Sequence, residues 1–563
     1  MASTKRWQLL PKITQDSDAA LHGYPPILRQ ILFNRGYASH ESARQFLEAR
    51  IPYDTNPFQL KGVAAAVERI IVALENNHRI AIYGDYDADG VTATALLSGY
   101  LKARNADTIS YIPDRFSEGY GLNNKAIDHL KENGVQLIIT VDCGIRSLQQ
   151  VNYAHNLGID LIITDHHTPG ELIPNAIAVI DPKQNDDQYP DKNLAGVGLA
   201  YKLTAALDME LNHQDNLAES FLDLVAIGTI SDLAPLIKEN RYLVRLGIEK
   251  IHQSNRQGLL SLIGVAGLKA KNITAVDVGF GLGPRINAAG RMGSALNALS
   301  LLETDDAFEA AHLAQELDNK NRQRQKQTKE MQILAESIAL SKENNPILLF
   351  ASDPSFNPGI VGLAASQLCE RYYRPALVAH KGDEYTRASC RSIPEFHITD
   401  ALDQCADILT QHGGHAAAAG FTVHNSKLDQ LIERLTSIAV SQLHLADLHP
   451  TIIADIELPL KKLRPELLSQ LNWLQPTGYG NPQPIFISRN LKVLQSRTVG
   501  NDRSHLKLSV SDGYITFDAI AFRQGNWHGK LPDQVDLLYR FESNEFRGQT
   551  SLQLNVIDIK PSA

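Results

Sequence analysis

Three aspartates on alternate positions, Asp85, Asp87 and Asp89, stand in "RIAIYGDYDADGVTATALL" and are followed at once by Gly90. The spelling D-x-D-x-D-G opens an EF-hand loop, so calcium is the first chemistry to test. It fails, because position twelve of such a loop is a bidentate Glu and here it is Leu96. The lead-in is wrong as well, since Ile80, Ile82 and Tyr83 predict a buried strand and not a helix. The acids therefore sit on a strand-to-helix turn. Further along, Asp142 follows the apolar run of "QLIITVDCG", Asp165, His166 and His167 follow that of "DLIITDHH", and Asp232 lies in "AIGTISDLAPL". Carboxylate oxygen mixed with imidazole nitrogen suits Mn2+ or Mg2+ better than a structural zinc. Four or more carboxylates in one place repel unless cations sit between them. Two divalent ions about 3.5–4 Å apart would hold them, activate water and clamp both oxygens of a phosphoryl displacement. Taken singly, each residue also has a structural reading: Asp89 as a helix cap, Asp142 as an Asx-turn, one of the histidines as a core residue. Their conjunction after successive apolar runs points to the metal site.

Residues 79–183 alternate apolar runs with helical patterns such as "NNKAIDHLKENG", which predicts βαβ units and a parallel, doubly wound α/β sheet. In an open sheet of this kind ligands bind beyond the carboxyl ends of the strands, where this sequence places its acids. A helical region follows to about residue 300. Residues 306–343 hold one helical pattern without Gly or Pro, and its centre, "DNKNRQRQKQTKE", is polar all round, predicting a solvent-bridging connector. A second α/β segment runs to about 440. From 451 short alternating runs ("HLKLSVSDG", "ITFDAIAF", "SLQLNVIDI"), with "SDG" and "RGQ" as turns, predict a small barrel of OB type or another β-sandwich.

The 563 residues are too many for one core. Net charge is −9, so any nucleic-acid partner needs a local basic groove in an acidic body, with metal ions to neutralise phosphate. The four cysteines, Cys143, Cys369, Cys390 and Cys405, lie far apart, which argues for a reducing cytoplasm and against a zinc cluster. "MASTKRWQLLPK" lacks the apolar core of a signal peptide, and no run reaches membrane-spanning length. In "HGGHAAAAGF" the paired glycines Gly413 and Gly414, beside His415, would let backbone amides approach a phosphate, with the Ala run opening a helix whose N-terminus favours an anion. The alternative there is a tight turn into a buried Ala-rich helix.

"GDYDADG", "VDCG", "TDHH" and "SDLAP" resemble the four successive motifs of the DHH phosphoesterase superfamily, and "HGGHAAAAGF" resembles the signature of its associated DHHA1 domain. "PDRFSEGYGL", "LAGVGLAYKL", "GFGLGPRINAAGRM" and "NEFRGQTSLQL" are similar to its single-strand-specific 5′→3′ DNA exonuclease branch, from about residue 25 to 560. The resemblance implies an N-terminal segment (1–45), a DHH catalytic domain (46–305), a connecting helix (306–343), a DHHA1 domain (344–445) and an OB-like nucleic-acid-binding domain (446–563). It implies a monomeric cytoplasmic exonuclease with two divalent ions, Mn2+ or Mg2+, releasing 5′-mononucleotides from single-stranded DNA in repair and recombination. Implied partners are a single-strand binding protein and a RecQ-type helicase. By the same resemblance Asp87, Asp89, Asp142, His166 and Asp232 hold metal, and His167, with Asp165, acts at the scissile phosphate. Arg115, Arg285, Asn287, Ser389, Arg391, Gly413, Gly414 and His415 meet DNA phosphate, and Tyr120 stacks on a base. Two departures stand out. Tyr83 occupies the position where many relatives have a metal-binding His, leaving Asp85 or water to fill it, and Asn357 stands in "FNPGIVG" where relatives tend to have a His. The runner-up is a phosphodiesterase of short oligonucleotides or dinucleotides, disfavoured by length; a decayed, metal-free scaffold is disfavoured because every metal motif is intact.

Overall fold

After a short strand β1 (Arg6–Leu9), the polar α1 (Gln15–Ala20) starts from its Thr14 cap, and apolar residues at helical spacing form α2 (Pro26–Asn34) and α3 (His40–Leu47). The computed structural model describes residues 5–211, 215–341, 343, 345–445, 448–500, 502–546 and 549–562. Arg547 and Gly548 of the expected "RGQ" turn, and the expected boundaries at 344 and 446, lie outside them.

α4 (Val63–Glu75) leads into the central sheet. There β2 (Arg79–Tyr83), α5 (Ala88–Ala103), β3 (Thr108–Tyr111), α6 (Asn124–Glu132), β4 (Val135–Val141), α7 (Leu148–Asn156), β5 (Asp160–Thr164) and β6 (Ala178–Ile180) follow in turn. The strands pair in parallel in the order β3-β2-β4-β5-β6. Counted from β2 this is the 2-1-3-4-5 order, which reverses between β2 and β4 and opens a crevice beyond their carboxyl ends. Alternate residues face opposite layers: Ile80 and Ile82 pack into the core that holds α4 and α5, Ala81 and Tyr83 into that of α6 and α7.

Residues 184–305 supply further helices of this module: α8 (Gly196–Glu210), α9 (Leu222–Ser231), α10 (Lys238–His252), α11 (Gln257–Val265), α12 (Ala275–Asp277), a π-helical turn (Val278–Leu282), α13 (Gly283–Met292) and α14 (Leu296–Glu303). α5 and α9 are apolar on nearly every side and are enclosed, not at the surface. The connector is α15 (Ala307–Ala339), but it is not solvated all round. Asp318, Asn321 and Thr328 of its polar stretch are buried, because α13 brings Arg285 against Asp318 at 2.8 Å. Ala310, Ala314 and Leu317 join the core of the first module, Met331 and Ala335 that of the next.

The second module contains β7 (Leu349–Asp353), α16 (Val361–Tyr372), β8 (Ala376–Lys381), β9 (Tyr385–Arg391), α17 (Ile398–Asp403), β10 (Gln411–His415), β11 (Ala418–His424) and α18 (Leu428–Gln442), with strand order β10-β11-β9-β8-β7. The Ala run opens no helix, correcting both readings of "HGGHAAAAGF". β10 and β11 form an antiparallel hairpin with Gly413 opposite Gly420 and Gly414 opposite Ala419. Gly414 holds φ +149°, and a Cβ there would lie 2.4 Å from the Ala418 oxygen. Glycines on both strands disfavour a helix and allow this close crossing.

Beyond it come β12 (Thr451–Ala454), β13 (Ile456–Glu457), α19 (Pro465–Leu471), β14 (Phe486–Val499), β15 (His505–Ser511), β16 (Thr516–Ala521), β17 (Gln534–Phe546) and β18 (Gln549–Pro561). The order β14-β15-β16-β18-β17 closes on itself because β17 also pairs with β14, giving a five-stranded barrel of OB type and not an open sandwich. The N-terminal segment is built onto this module: β1 pairs in parallel with β12, and Leu28, Ile31, Leu32 and Phe46 share one core with Phe486, Leu537 and Tyr539. Among the described residues no helix is long and apolar enough to cross a membrane.

Candidate metal centre

The crevice between the ends of β2 and β4 collects the acids. Asp87 is the N-cap of α5, its Oδ1 accepting from the amides of Asp89 (2.9 Å) and Gly90 (3.1 Å). Asp89 lies within the first turn and is buried; its two oxygens accept from Gly196 N (2.7 Å) and Val197 N (2.9 Å), the first amides of α8. This carboxylate thus satisfies a helix N-terminus contributed from more than a hundred residues away. Gly196 is required there, since a Cβ would fall 2.7 Å from that of Asp142. Asp142 follows β4 with a left-handed backbone (φ +62°), which turns its carboxylate into the cluster. Asp232 is the C-cap of α9.

His166 ties these together. Its Nε2 lies 3.0 Å from Asp142 Oδ1, 3.8 Å from Asp89 Oδ2 and 3.9 Å from Asp232 Oδ2. Three overlapping sets, Asp85/Asp87/Asp142, Asp89/His166/Asp232 and Asp142/His166/His167, each hold donor atoms within 4.8 Å of one another. Asp85 Oδ1, Asp142 Oδ1 and His166 Nε2 are buried without a hydrogen-bond partner, the state expected of groups arranged for a cation. Burial, and then the charge of Asp87, pushes Asp85 up to about 8 and Asp232 up to about 7. Asp89 and Asp142 are raised well above the usual carboxylate range, first by burial and then by their acidic neighbours. Burial, with the charge of His167 beside it, lowers His166 to about 3, so its imidazole is neutral and has a lone pair to give. The donor set fits divalent ions.

Asp165 does not join this set. Its oxygens accept from the amides of His166, His167 and Ile145, and Oδ1 lies 2.7 Å from His167 Nδ1. Burial would lower His167, but the bond and charge of Asp165 raise it. Burial would likewise raise Asp165, which His167 and the amides hold down. The pair therefore favours carboxylate and imidazolium, and His167 is half-exposed, its Nε2 without a hydrogen bond among the described residues. Tyr83 turns away from the acids: its buried hydroxyl donates to Gly121 O at 2.9 Å and steadies the loop that carries Tyr120. Asp85 stands with the acids instead. Tyr120 itself sits edge-on to His167, 5.9 Å between centroids.

The residues expected on phosphate divide. The Arg115 guanidinium lies over the Tyr86 ring at 4.8 Å. Ser389 and Arg391, on one face of β9, meet Gly362 at the start of α16, where a Cβ would lie 3.1 Å from Arg391 Nη2 and 3.4 Å from Ser389 Oγ. The preceding Gly359 abuts the Arg291 carbonyl and Phe116, so this site faces the first module across the junction. Arg285 is spent elsewhere, its guanidinium on Asp318 Oδ1 and on Gly281 O (2.6 Å). Asn287 Oδ1 accepts from Ala88 N at 2.9 Å and braces the acidic turn. Asn357 accepts from Gly359 N at 2.8 Å. Two residues of the site escaped sequence reasoning. Lys183, held by its own amide on Asp181, donates to the His166 carbonyl; only its place after the last strand run, "AIAVIDPK", hinted at it. Arg291 donates a long bond to Gly359 O (3.5 Å) and has Arg115, Arg324 and Asp87 as electrostatic neighbours.

Residues 79–229 match the DHH family, N-terminal domain, residues 344–441 the DHHA1 domain and residues 454–558 the RecJ OB domain. The chain is 38% identical to the single-stranded-DNA-specific exonuclease RecJ of Bacillus subtilis, covering 99% of this chain and 71% of that protein. It is also 38% identical to that of Salmonella typhimurium, covering 95% and 96%. The chain belongs to the RecJ family. Its fold is that of RecJ in complex with Mn2+ from Thermus thermophilus, with a TM-score of 0.84 at 30% identity over 99% of this chain and 80% of that one. A RecJ structure from the same organism in complex with Mg2+ gives 0.79. Both ions are those that the mixed carboxylate and imidazole set suits.

Proposed function

We propose that this RecJ-family chain hydrolyses single-stranded DNA from its 5′ end, releasing 5′-mononucleotides with two divalent ions, Mn2+ or Mg2+. The observation that carries the reading is the joined acid and imidazole cluster at the β2/β4 crevice, in a chain related to single-stranded-DNA-specific exonucleases over nearly its whole length. Asp85, Asp87 and Asp142 would hold one ion and Asp89, His166 and Asp232 the other. When bound, the ions supply water activation and neutralise charge on the phosphate. Asp165 keeps His167 protonated and oriented, so that its open Nε2 donates to a phosphate oxygen. Arg115, Ser389, Arg391 and the N-terminus of α16 receive further phosphate, and Tyr120 takes a base. Cytoplasmic placement, the monomeric state, and partnership with a single-strand binding protein and a RecQ-type helicase are carried into the proposal from the resemblance.

The test uses single-stranded DNA labelled at either end, with Mn2+, blunt duplex and a dinucleotide as comparisons. Labelled mononucleotide should appear first from the 5′ label. Asp142→Ala should lower the rate by more than the roughly 100-fold that loss of an outer partner of a metal ligand costs. Cleavage of the dinucleotide alone would move the chain to the short-substrate reading.

A further inference from the structure

Three large apolar side chains stand in solvent around the turn that follows Asp232. Leu233 is 68% exposed and holds a left-handed backbone, φ +61°. Phe280 is 84% exposed, at the middle of the π-helical turn whose Val278 and Leu282 are fully buried. That turn is fastened to the carboxyl end of α9, the helix that Asp232 caps. A Cβ on Gly279 would lie 3.5 Å from Ile230 Cγ2, and one on Gly283 2.3 Å from Ser231 Oγ. Tyr479, in the segment leading to β14, is 64% exposed, and its carbonyl accepts from Leu236 N at 2.7 Å. Its neighbours Gly478 and Gly480 close on Leu236 and Pro235. Three stretches far apart in sequence thus anchor their backbones at one place and present an apolar side chain outward.

Folding alone does not call for this exposure, since burial of an aromatic side chain is favourable. π-turns are rare and recur at functional sites. Leu233 follows Asp232 of the metal centre directly in the chain, and Tyr479 lies in the lead-in to the barrel. We propose that Phe280 and Tyr479 are stacking platforms for the bases of the single strand as it passes between barrel and metal centre, with Leu233 the apolar step beside Asp232. The proposal rests on the functional reading above and names its binding path. Stacking suits a substrate of any sequence, because every base has a π face.

The test compares the full chain with Phe280→Ala, Tyr479→Ala, Phe280→Trp and Phe308→Ala. Phe308 is equally exposed (89%) but lies in the first turn of α15 and serves as the control. A fluorescein-labelled 20-mer of thymidylate in EDTA reports binding by anisotropy, the same strand with Mn2+ reports KM and kcat, and a 2-aminopurine strand reports stacking by quenching. Phe280→Ala and Tyr479→Ala should each raise Kd and KM about 5- to 100-fold, with a smaller change in kcat. Quenching should fall in Phe280→Ala and return in Phe280→Trp, and Phe308→Ala should match wild type. If wild type binds and degrades the strand and both alanine variants equal it, the stacking proposal is overturned. If wild type neither binds nor degrades it, the functional reading falls as well.

Discussion

Asp85 sits buried beside Asp87 and Asp142 with one oxygen unpartnered, and without a cation its cheapest state is protonated. The sign follows from linkage. The unfolded chain releases these protons near the ordinary carboxylate value of 3.8, whereas folding holds them until about 8 for Asp85 and about 7 for Asp232. The folded, metal-free protein therefore binds more protons over that interval, and its stability falls as pH rises from about 4 to about 8. A divalent ion must displace the same protons, so binding tightens as pH rises and releases protons. Two results are expected. The melting temperature of EDTA-treated protein falls between pH 5 and pH 8, and Mn2+ at 100 times its Kd adds about 2.7 kcal/mol of stability. Calorimetric titration in two buffers of different ionisation enthalpy should show proton release. A melting temperature indifferent to both pH and Mn2+ would remove these carboxylates from the metal site.

At the scale of elements, α13 and α15 are joined by a charge that the resemblance had placed on DNA. Arg285 reaches Asp318, which is almost wholly buried, and Asp318 also pairs with the exposed Arg322 at 2.7 Å. Breaking a buried pair from one side leaves an uncompensated charge, which costs about 3–5 kcal/mol. Arg322→Ala removes only an exposed partner and should cost under about 1 kcal/mol. Arg285→Met should accordingly shift the urea midpoint strongly and Arg322→Ala hardly at all, with KM for single-stranded DNA following stability and not leading it. An Arg285→Met protein of normal midpoint and raised KM would return Arg285 to the phosphate contacts. The pair was illegible in the sequence because "GPRI" and "ELDN" are each ordinary helical text. The hairpin at Gly413–Gly414 was missed for a related reason: the Ala run favours a helix locally, and pairing with β9 overrides it.

For the molecule as a whole, Arg241 on α10 is the joint. It is fully buried and donates to five carbonyls, Phe46 O (2.9 Å), Trp473 O (3.5 Å), Leu474 O (3.0 Å), Gln475 O (2.7 Å) and Pro476 O (2.9 Å). It also lies over the Phe46 ring at 4.1 Å, and burial lowers it to about 9. One side chain of the catalytic module thereby holds both the N-terminal helices and the approach to the barrel. A planar fork with five donors fits this task and an ammonium does not. Arg241→Met leaves the carbonyls unpaired, each costing about 1–3 kcal/mol where burial persists. Calorimetry should then resolve two transitions, with the N-terminal and barrel module melting first and Arg241→Lys failing to restore a single one. A single, unshifted transition would show that the joint lies elsewhere.

Local text sufficed for much of this protein. Period-2 and period-3.6 patterns mark the strands and helices, the acids and histidines follow apolar runs at strand ends, the polar-centred thirty-odd-residue stretch is a helix, and the last part of the chain is a β barrel, though β14, β17 and β18 run longer than the short strands expected. Such patterns report which faces a segment must bury, and that is a local property. What they leave open is which buried face meets which. Strand order places Asp142 beside Asp85 and Asp87 because β4 lies next to β2. The amides for Asp89 come from Gly196 and Val197, the N-terminal segment docks on the barrel, and Arg285 finds Asp318 in place of solvent. Those partners are tens to hundreds of residues apart, so only the closed packing of the whole chain, where a buried charge or amide must find its complement, decides them.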